Sequence, residues 1–375
     1  MRDDPHPLLV VGNKLVSVDG YLSPTEICLR RNAEIRKGTY QLTLIRISHK
    51  YAKAYLKWNI IKKRNVNMRT EKITVGTEWP LDGIITLPEG EGPFPGVVLV
   101  HGSGANDMDE NIGQCAPFKD LAEGFAQLGV ATIRYNKRTF THGKRMSKEL
   151  QGELTVFEET IEDALIATKM MKEHASIHSD QVFILGHSMG GNLAPRIDAE
   201  GGDYRGLIIW GGTWRRFEEF SRDQQEDFLS KQKGILKWYI GKQIRKLQEK
   251  YDNIYKMTDE EAKSTPLFGK HMFCYYLKEW GDKPISDYLE RLQKPVLVMQ
   301  GDKDFHISVE KDFSGYQGIL ENKEDATCVL YPGLNHLFMK SIYNDVNKAM
   351  KEYKVPQHVE QYVIQDLVDW IKRYS

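Results

Sequence analysis

Three side chains with the chemistry for acyl transfer, Ser188, Asp304 and His336, each sit just past an apolar run of this 375-residue chain. Ser188 is the centre of Gly186-His187-Ser188-Met189-Gly190. Before it runs Val182-Phe183-Ile184-Leu185, and after it Asn192 to Ala199 can form a helix. Strand, sharp turn and helix in that order make a nucleophile elbow. Such a turn forces the serine into a strained backbone conformation, and side chains at 186 and 190 would collide with neighbouring backbone. It lifts the Ser188 hydroxyl clear of the sheet. It also puts the Met189 N–H at a helix N-terminus, where it can stabilise an oxyanion.

A serine hydroxyl is a poor nucleophile near neutral pH, so it needs a base, and the base needs an orienting acid. Past the run Val296 to Gln300 comes Gly301-Asp302-Lys303-Asp304-Phe305. Past Leu330 comes Tyr331-Pro332-Gly333-Leu334-Asn335-His336. Asp302 and Asp304 compete for the acid role. Asp304 sits deeper in the loop and is favoured, while Asp302 is placed to bond the turn backbone. His101, His187 and His306 compete with His336 as base; the position of His336 after the last strand favours it. A second oxyanion donor is expected from His101-Gly102-Ser103-Gly104, where two glycines let backbone N–H groups approach closely. The candidate donors are the N–H groups of Ser103 and Gly104. Arg134-Tyr135-Asn136-Lys137-Arg138, at the same end of the sheet, could meet an acidic substrate group; the favoured expectation is an ion-pair network with Asp107, Asp109 and Glu110.

These residues need a scaffold whose strand ends converge. From Glu71 onward, Lys72–Val75 and Leu81–Leu87 predict antiparallel strands. Short apolar runs then alternate with helical segments: Val97–Val100, Val130–Ile133, Val182–Leu185, Leu207–Trp210, Val296–Met299 and Thr327–Leu330. Strands apolar throughout imply an α/β fold with a mostly parallel central sheet covered by helices on both faces. Between Gly212 and Pro295 the rhythm breaks into a helical, aromatic-rich stretch, read as a cap insertion over the site. Trp214 and Trp238 from this insertion and His187 from the elbow are the candidate substrate contacts. The expected organisation is an N-terminal accessory segment over 1–70, core over 71–213, cap over 214–285 and core over 286–375. Within the first segment, Leu8 to Val18 can make strands around Gly12-Asn13. Ser23-Pro24-Thr25-Glu26 looks like a helix start, and Ser48 to Arg64 has helical apolar spacing.

Lys and Arg number 52 and so do Asp and Glu, so no global field points to nucleic acid or to an anionic membrane. No apolar run reaches the length of a membrane span, and the N-terminus lacks the pattern of a signal peptide. The four cysteines, Cys28, Cys115, Cys274 and Cys328, have neither metal nor disulfide spacing. The expectation is a cytoplasmic protein with no metal and no cofactor, acting on a small molecule, with homo-oligomerisation open.

With these motifs in view, the chain resembles the α/β-hydrolase superfamily. Within it, the chain is similar to bacterial carboxylesterases of the dienelactone-hydrolase-like and cinnamoyl or feruloyl-esterase-like branch. The resemblance rests on His101-Gly102-Ser103-Gly104, Asp107-x-Asp109-Glu110, Arg134-Tyr135-x-Lys137-Arg138, the elbow and Gly333-Leu334-Asn335-His336. It covers about 71–213 and 286–375. It implies an α/β-hydrolase fold and a triad of Ser188, Asp304 and His336 that cleaves a carboxylic ester. Met108 stands where relatives often carry Arg between the two acids. The expected substrate is an ester of modest size with an apolar or aromatic acyl group. An acyl-thioesterase or peptidase would use the same triad, and a non-catalytic ligand-binding relative would keep it as a pocket lining. A partner-docking role for 1–70 is a further possibility.

Overall fold

The computed structural model describes residues 8–11, 14–17, 68–269, 272–343 and 346–375. Strands β1 (Leu8–Val11) and β2 (Lys14–Ser17) pair antiparallel, in line with the strands expected between Leu8 and Val18; Gly12 and Asn13 lie outside the described residues. The expected helices from Ser23 and over 48–64 lie outside the described residues.

Two antiparallel strands, β3 (Arg69–Val75) and β4 (Leu81–Leu87), enter the main sheet. There follow β5 (Phe94–Val100), helix α1 (Pro117–Gln127), β6 (Ala131–Tyr135), α2 (Arg138–Glu149), a π-helical turn (Phe157–Ile161) and α3 (Glu162–Glu173). Then come β7 (Ile177–His187), α4 (Met189–Ile197) and β8 (Leu207–Trp210). The stretch that breaks the rhythm holds α5 (Phe217–Ser230), α6 (Gly234–Asn253), α7 (Asp259–Ser264), the small antiparallel pair β9 (Pro266–Phe268) and β10 (Met272–Phe273), α8 (Cys274–Gly281) and α9 (Ile285–Arg291). The core resumes with β11 (Val296–Gly301), α10 (Ser314–Ile319), β12 (Ala326–Tyr331), α11 (Val346–Glu352) and α12 (Gln361–Tyr374).

The eight-stranded sheet has the order β12-β11-β8-β7-β5-β6-β4-β3. The six strands from β12 to β6 are parallel, and β4 runs antiparallel to both β6 and β3. The chain leaves β5 for β6 on one side and returns to β7 on the other. The loops after β5 and β7 therefore part at a topological switch point, the place where open α/β sheets bind ligands.

Alternation along the strands explains why they read as unbroken apolar runs. Val97, Leu99, Phe183 and Leu185 face a layer built by α1 and α12, including Phe118, Phe125, Ile364 and Leu367. Val98, Val100, Val182 and Ile184 face the other way, onto Ala164, Ala167 and Met171 of α3 and Leu193 and Ile197 of α4. Both faces are dry, so neither set can be polar.

Three elements differ from the sequence reading. Helix α2 was not expected, because Arg138–Glu149 is mostly polar and buries only Arg138 and Met146. The helix expected from Phe157 begins as a π turn that buries Glu159. Helix α9 crosses the expected cap boundary at 285 and packs against α4, with Ile285 and Leu289 buried. Among the described residues, no helix is long and apolar enough to cross a membrane, and no three His, Cys, Asp or Glu side chains group as metal ligands.

Candidate active site

The elbow is built by steric exclusion. Ser188 has φ 52° and ψ −113°, a conformation an L-residue adopts only when its surroundings enforce it. A Cβ on Gly186 would lie 2.1 Å from the Gly190 carbonyl oxygen, and one on Gly190 would lie 2.2 Å from the Val100 oxygen. Only glycine lets the turn close on itself and β5 come so near. Ser188 N–H donates to the Trp210 carbonyl at 3.0 Å, which fixes the turn against β8. Ser188 itself is half-buried.

Asp304 and His336 meet although 32 residues separate them: His336 Nδ1–H donates to Asp304 Oδ2 at 2.7 Å. The other oxygen of Asp304 accepts the N–H groups of His306 (2.8 Å) and Ile307 (3.0 Å). Burial by itself would raise the Asp304 pKa. The His336 ring, His306 and the Ile307 N–H together outweigh it and hold the carboxyl below its usual value of 3.8. Asp302 points elsewhere, accepting the Gly333 N–H at 2.6 Å. The His336 loop is pinned by buried Asn335, whose amide donates to Glu352 at 3.0 Å and whose oxygen accepts from Leu337 and Met339 N–H. With Nδ1 committed to Asp304, His336 keeps Nε2 for another partner. No direct hydrogen bond joins it to Ser188 in this conformation.

Among the described backbone hydrogen bonds, neither Met189 nor Ser103 N–H has an acceptor, and Ser103 and Gly104 are exposed. The loop that carries them folds back on the elbow, since a Cβ on Gly102 would sit 3.2 Å from Ser188 Cβ.

His187, a candidate substrate contact, is tied into the protein interior. It is 2% exposed and lies behind His336, its Nε2–H donating to the His336 carbonyl at 3.3 Å. Its Nδ1 is 2.9 Å from buried Glu110 Oε2, close enough for strong attraction but poorly aligned for a directed bond. The other Glu110 oxygen accepts the Gly102 N–H at 2.8 Å, so this pair braces the oxyanion-donor loop and the His336 loop together. Burial would lower the His187 pKa, but Glu110 and the His336 carbonyl raise it above 6.5. Burial would likewise raise Glu110, yet His187, His101 and the Gly102 N–H hold it below 4.5. By linkage, the Glu110 contribution is present above 4.5 and fades as pH falls through its depressed value. The His187 contribution is complete below 6.5 and is lost as pH rises through its elevated value. Glu110→Gln keeps the Gly102 bond but removes the charge. It is expected to cost about 3 kcal/mol at pH 6, below the His187 value, and less at a strongly alkaline pH, as the ring loses its proton through its elevated value. Urea unfolding of both proteins at the two pH values checks this; an equal cost at both would refute it.

The basic run after β6 divides its partners. Arg134 pairs with Asp109 at 2.8 Å as expected, and Asn136 accepts the Met108 N–H. Arg138 instead joins Asp163 and Glu162, and fully buried Lys137 joins Glu159 at 2.6 Å. Lys137 also donates to the Gly102 carbonyl at 2.9 Å, and Glu159 accepts from Tyr276 of α8 at 2.5 Å. His101, whose Nε2–H donates to the Asp107 carbonyl, is pushed by burial to a pKa of about 4 and stays neutral. Trp280 of α8 donates to Asn192 of the elbow helix at 2.9 Å. Trp214 lines a pocket with Asn192, Phe217 and Trp280. Trp238 stands 63% exposed on α6, where its ring meets Lys242 rather than the elbow. Sequence reasoning missed Tyr276 and Glu159, whose roles arise from contact between segments 117 residues apart.

Residues 96–341 match the family described as serine aminopeptidase, S33. The chain is 34% identical to the esterase EstD of Thermotoga maritima over 291 residues, 78% of this chain and 65% of EstD. It is 21% identical to the uncharacterized peptidase YtmA of Bacillus subtilis, over 47% of this chain and 56% of YtmA. The chain thus spans somewhat less than two thirds of the curated relatives it matches. Est1E from Butyrivibrio proteoclasticus superposes with a TM-score of 0.50 at 16% identity, over 80% of this chain and 99% of Est1E, a likeness of fold. The switch-point elbow, the parallel sheet and the 246 matched residues, from 96 to 341, agree: the chain belongs to the serine aminopeptidase S33 family and has the α/β-hydrolase fold.

Proposed function

We propose that the protein is a serine hydrolase that cleaves carboxylic esters of modest size with an apolar or aromatic acyl group. The hydrogen bond from His336 to Asp304, in loops at the same sheet end as the strained Ser188 turn, carries this reading. Ser188 Oγ attacks the acyl carbon, and His336 Nε2 takes its proton and later returns it to the leaving alcohol. Asp304 holds the ring and stabilises its charged form. The N–H groups of Met189 and Ser103, with Gly104 adjacent, receive the oxyanion, and water then hydrolyses the acyl-enzyme. Residues 214–285 act as the cap. The acyl preference rests on the aromatic-rich composition of residues 214–285, which include Trp214, Phe217, Trp238, Tyr276 and Trp280. The likeness to an esterase over 291 residues supports the ester reading.

Intact mass after incubation with a fluorophosphonate tests the core of this proposal. One adduct on the wild type and none on Ser188→Ala is the expected result. The absence of an adduct on both proteins would refute an activated serine. The family description and the YtmA match favour a second reading, an aminopeptidase with the same triad. A panel of p-nitrophenyl esters and aminoacyl amides separates the two by which class gives the larger kcat/KM.

A further inference from the structure

Helices α5 and α6 pack as a hairpin, and its tip presents large apolar side chains to solvent. Phe228 stands near the end of α5. Ile235, Leu236, Trp238 and Tyr239 occupy the first turns of α6, where Ile235 is 87% exposed. At about 3.6 residues per turn, these four cover nearly half the helix circumference. A cluster of this size on a soluble surface marks a binding face. Its surroundings are basic. From Lys231 to Gln248 the chain has six basic residues, Lys231, Lys233, Lys237, Lys242, Arg245 and Lys246, and no acidic one. Asp227 neutralises Lys231 at 2.5 Å, and Glu226 and Glu249 lie just outside this stretch. The balanced charge of the whole chain conceals this local excess.

The order of the two features along α6 matters. The apolar residues begin at Ile235, and the collar of Lys242, Arg245 and Lys246 begins about 10 Å beyond Ile235 along the axis. That spacing matches the depth of about 5–10 Å to which apolar side chains enter a bilayer interface. A tip dipped to that depth would bring the collar to the level of lipid phosphates, with the long lysine stems reaching outward. We propose that this tip docks the protein on an anionic lipid bilayer. The inference does not rest on the chemistry at Ser188.

Flotation of the full chain with vesicles tests it. Binding is expected to vesicles of phosphatidylcholine mixed with phosphatidylglycerol, weakened by added salt, and absent with phosphatidylcholine alone. Each lysine near an anionic surface contributes about fivefold. Lys242→Glu with Lys246→Glu should therefore lower binding more than about tenfold, as should Ile235→Ser with Trp238→Ser. These positions are exposed, so both variants keep the fold, which circular dichroism verifies. Ser188→Ala should float like the wild type, which separates failure here from failure of the hydrolase reading. Three results would overturn the proposal: no flotation of the wild type, variants that float unchanged, or a non-floating dimer in sedimentation velocity that Ile235→Ser with Trp238→Ser dissolves. The last would make the tip a contact between two copies.

Discussion

Ser188→Ala is expected to lower kcat by about 10⁶-fold while KM stays within a few-fold, because the nucleophile is lost and the pocket is not. The substitution keeps the Ser188 Cβ, which lies so near the Gly102 loop that a Cβ added at Gly102 would approach it to 3.2 Å. It also keeps the Ser188 backbone N–H that bonds the Trp210 carbonyl, so the elbow should hold its shape. The strain at φ 52° is borne by the surrounding contacts and is the same for alanine. Steady-state kinetics on a p-nitrophenyl ester, with circular dichroism to show an unchanged fold, measure the effect. Turnover near that of the wild type would remove Ser188 from the mechanism and the ester-hydrolase reading with it.

Asp304→Asn is expected to lower kcat about 10⁴-fold with the fold intact. The asparagine oxygen can still accept the His306 and Ile307 N–H groups that now hold Asp304 Oδ1. Its amide then faces His336 Nδ1, which must accept instead of donate. The proton moves to Nε2, and the ring can no longer take one from Ser188. The partnering of Asp302 supplies the control. Its carboxylate serves the Gly333 N–H, so Asp302→Asn should change kcat by less than about tenfold. If Asp302→Asn were the damaging change and Asp304→Asn the mild one, the acid would be misassigned. Both variants are read by kcat on the same ester.

Some of this site was legible from residue order because its cues are local. A four-residue apolar run, a glycine pair and a helix-forming segment mark the elbow within a dozen residues. Asp304 and His336 each follow an apolar strand by a few positions, so their place at one end of a parallel sheet follows once the strands are recognised. The two aspartates could be ranked by their distance from the strand end, and their hydrogen bonds differ in that sense, with Asp304 on His336 and Asp302 on a turn N–H. Helix α2 escaped detection because it is mostly polar and buries only Arg138 and Met146, too few apolar residues to mark a core-facing stripe.

By itself the sequence determined the α/β class, the strands and their apolar faces, the antiparallel entry and the loops in which Ser188, Asp304 and His336 lie. These follow from periodicity and turn chemistry, which act over a few residues. Only the tertiary structure decided which charges are buried together and what they brace. Glu110 meets His187 across 77 positions, and Lys137 and Tyr276 converge on Glu159 from opposite directions along the chain. No local pattern marks such pairs, because a buried charge is stable only beside a partner that the fold delivers from elsewhere. The same reason separates the aromatics of the insertion. Trp280 is buried on Asn192 of the elbow helix, while Trp238 on α6 faces outward because no remote element covers it among the described residues.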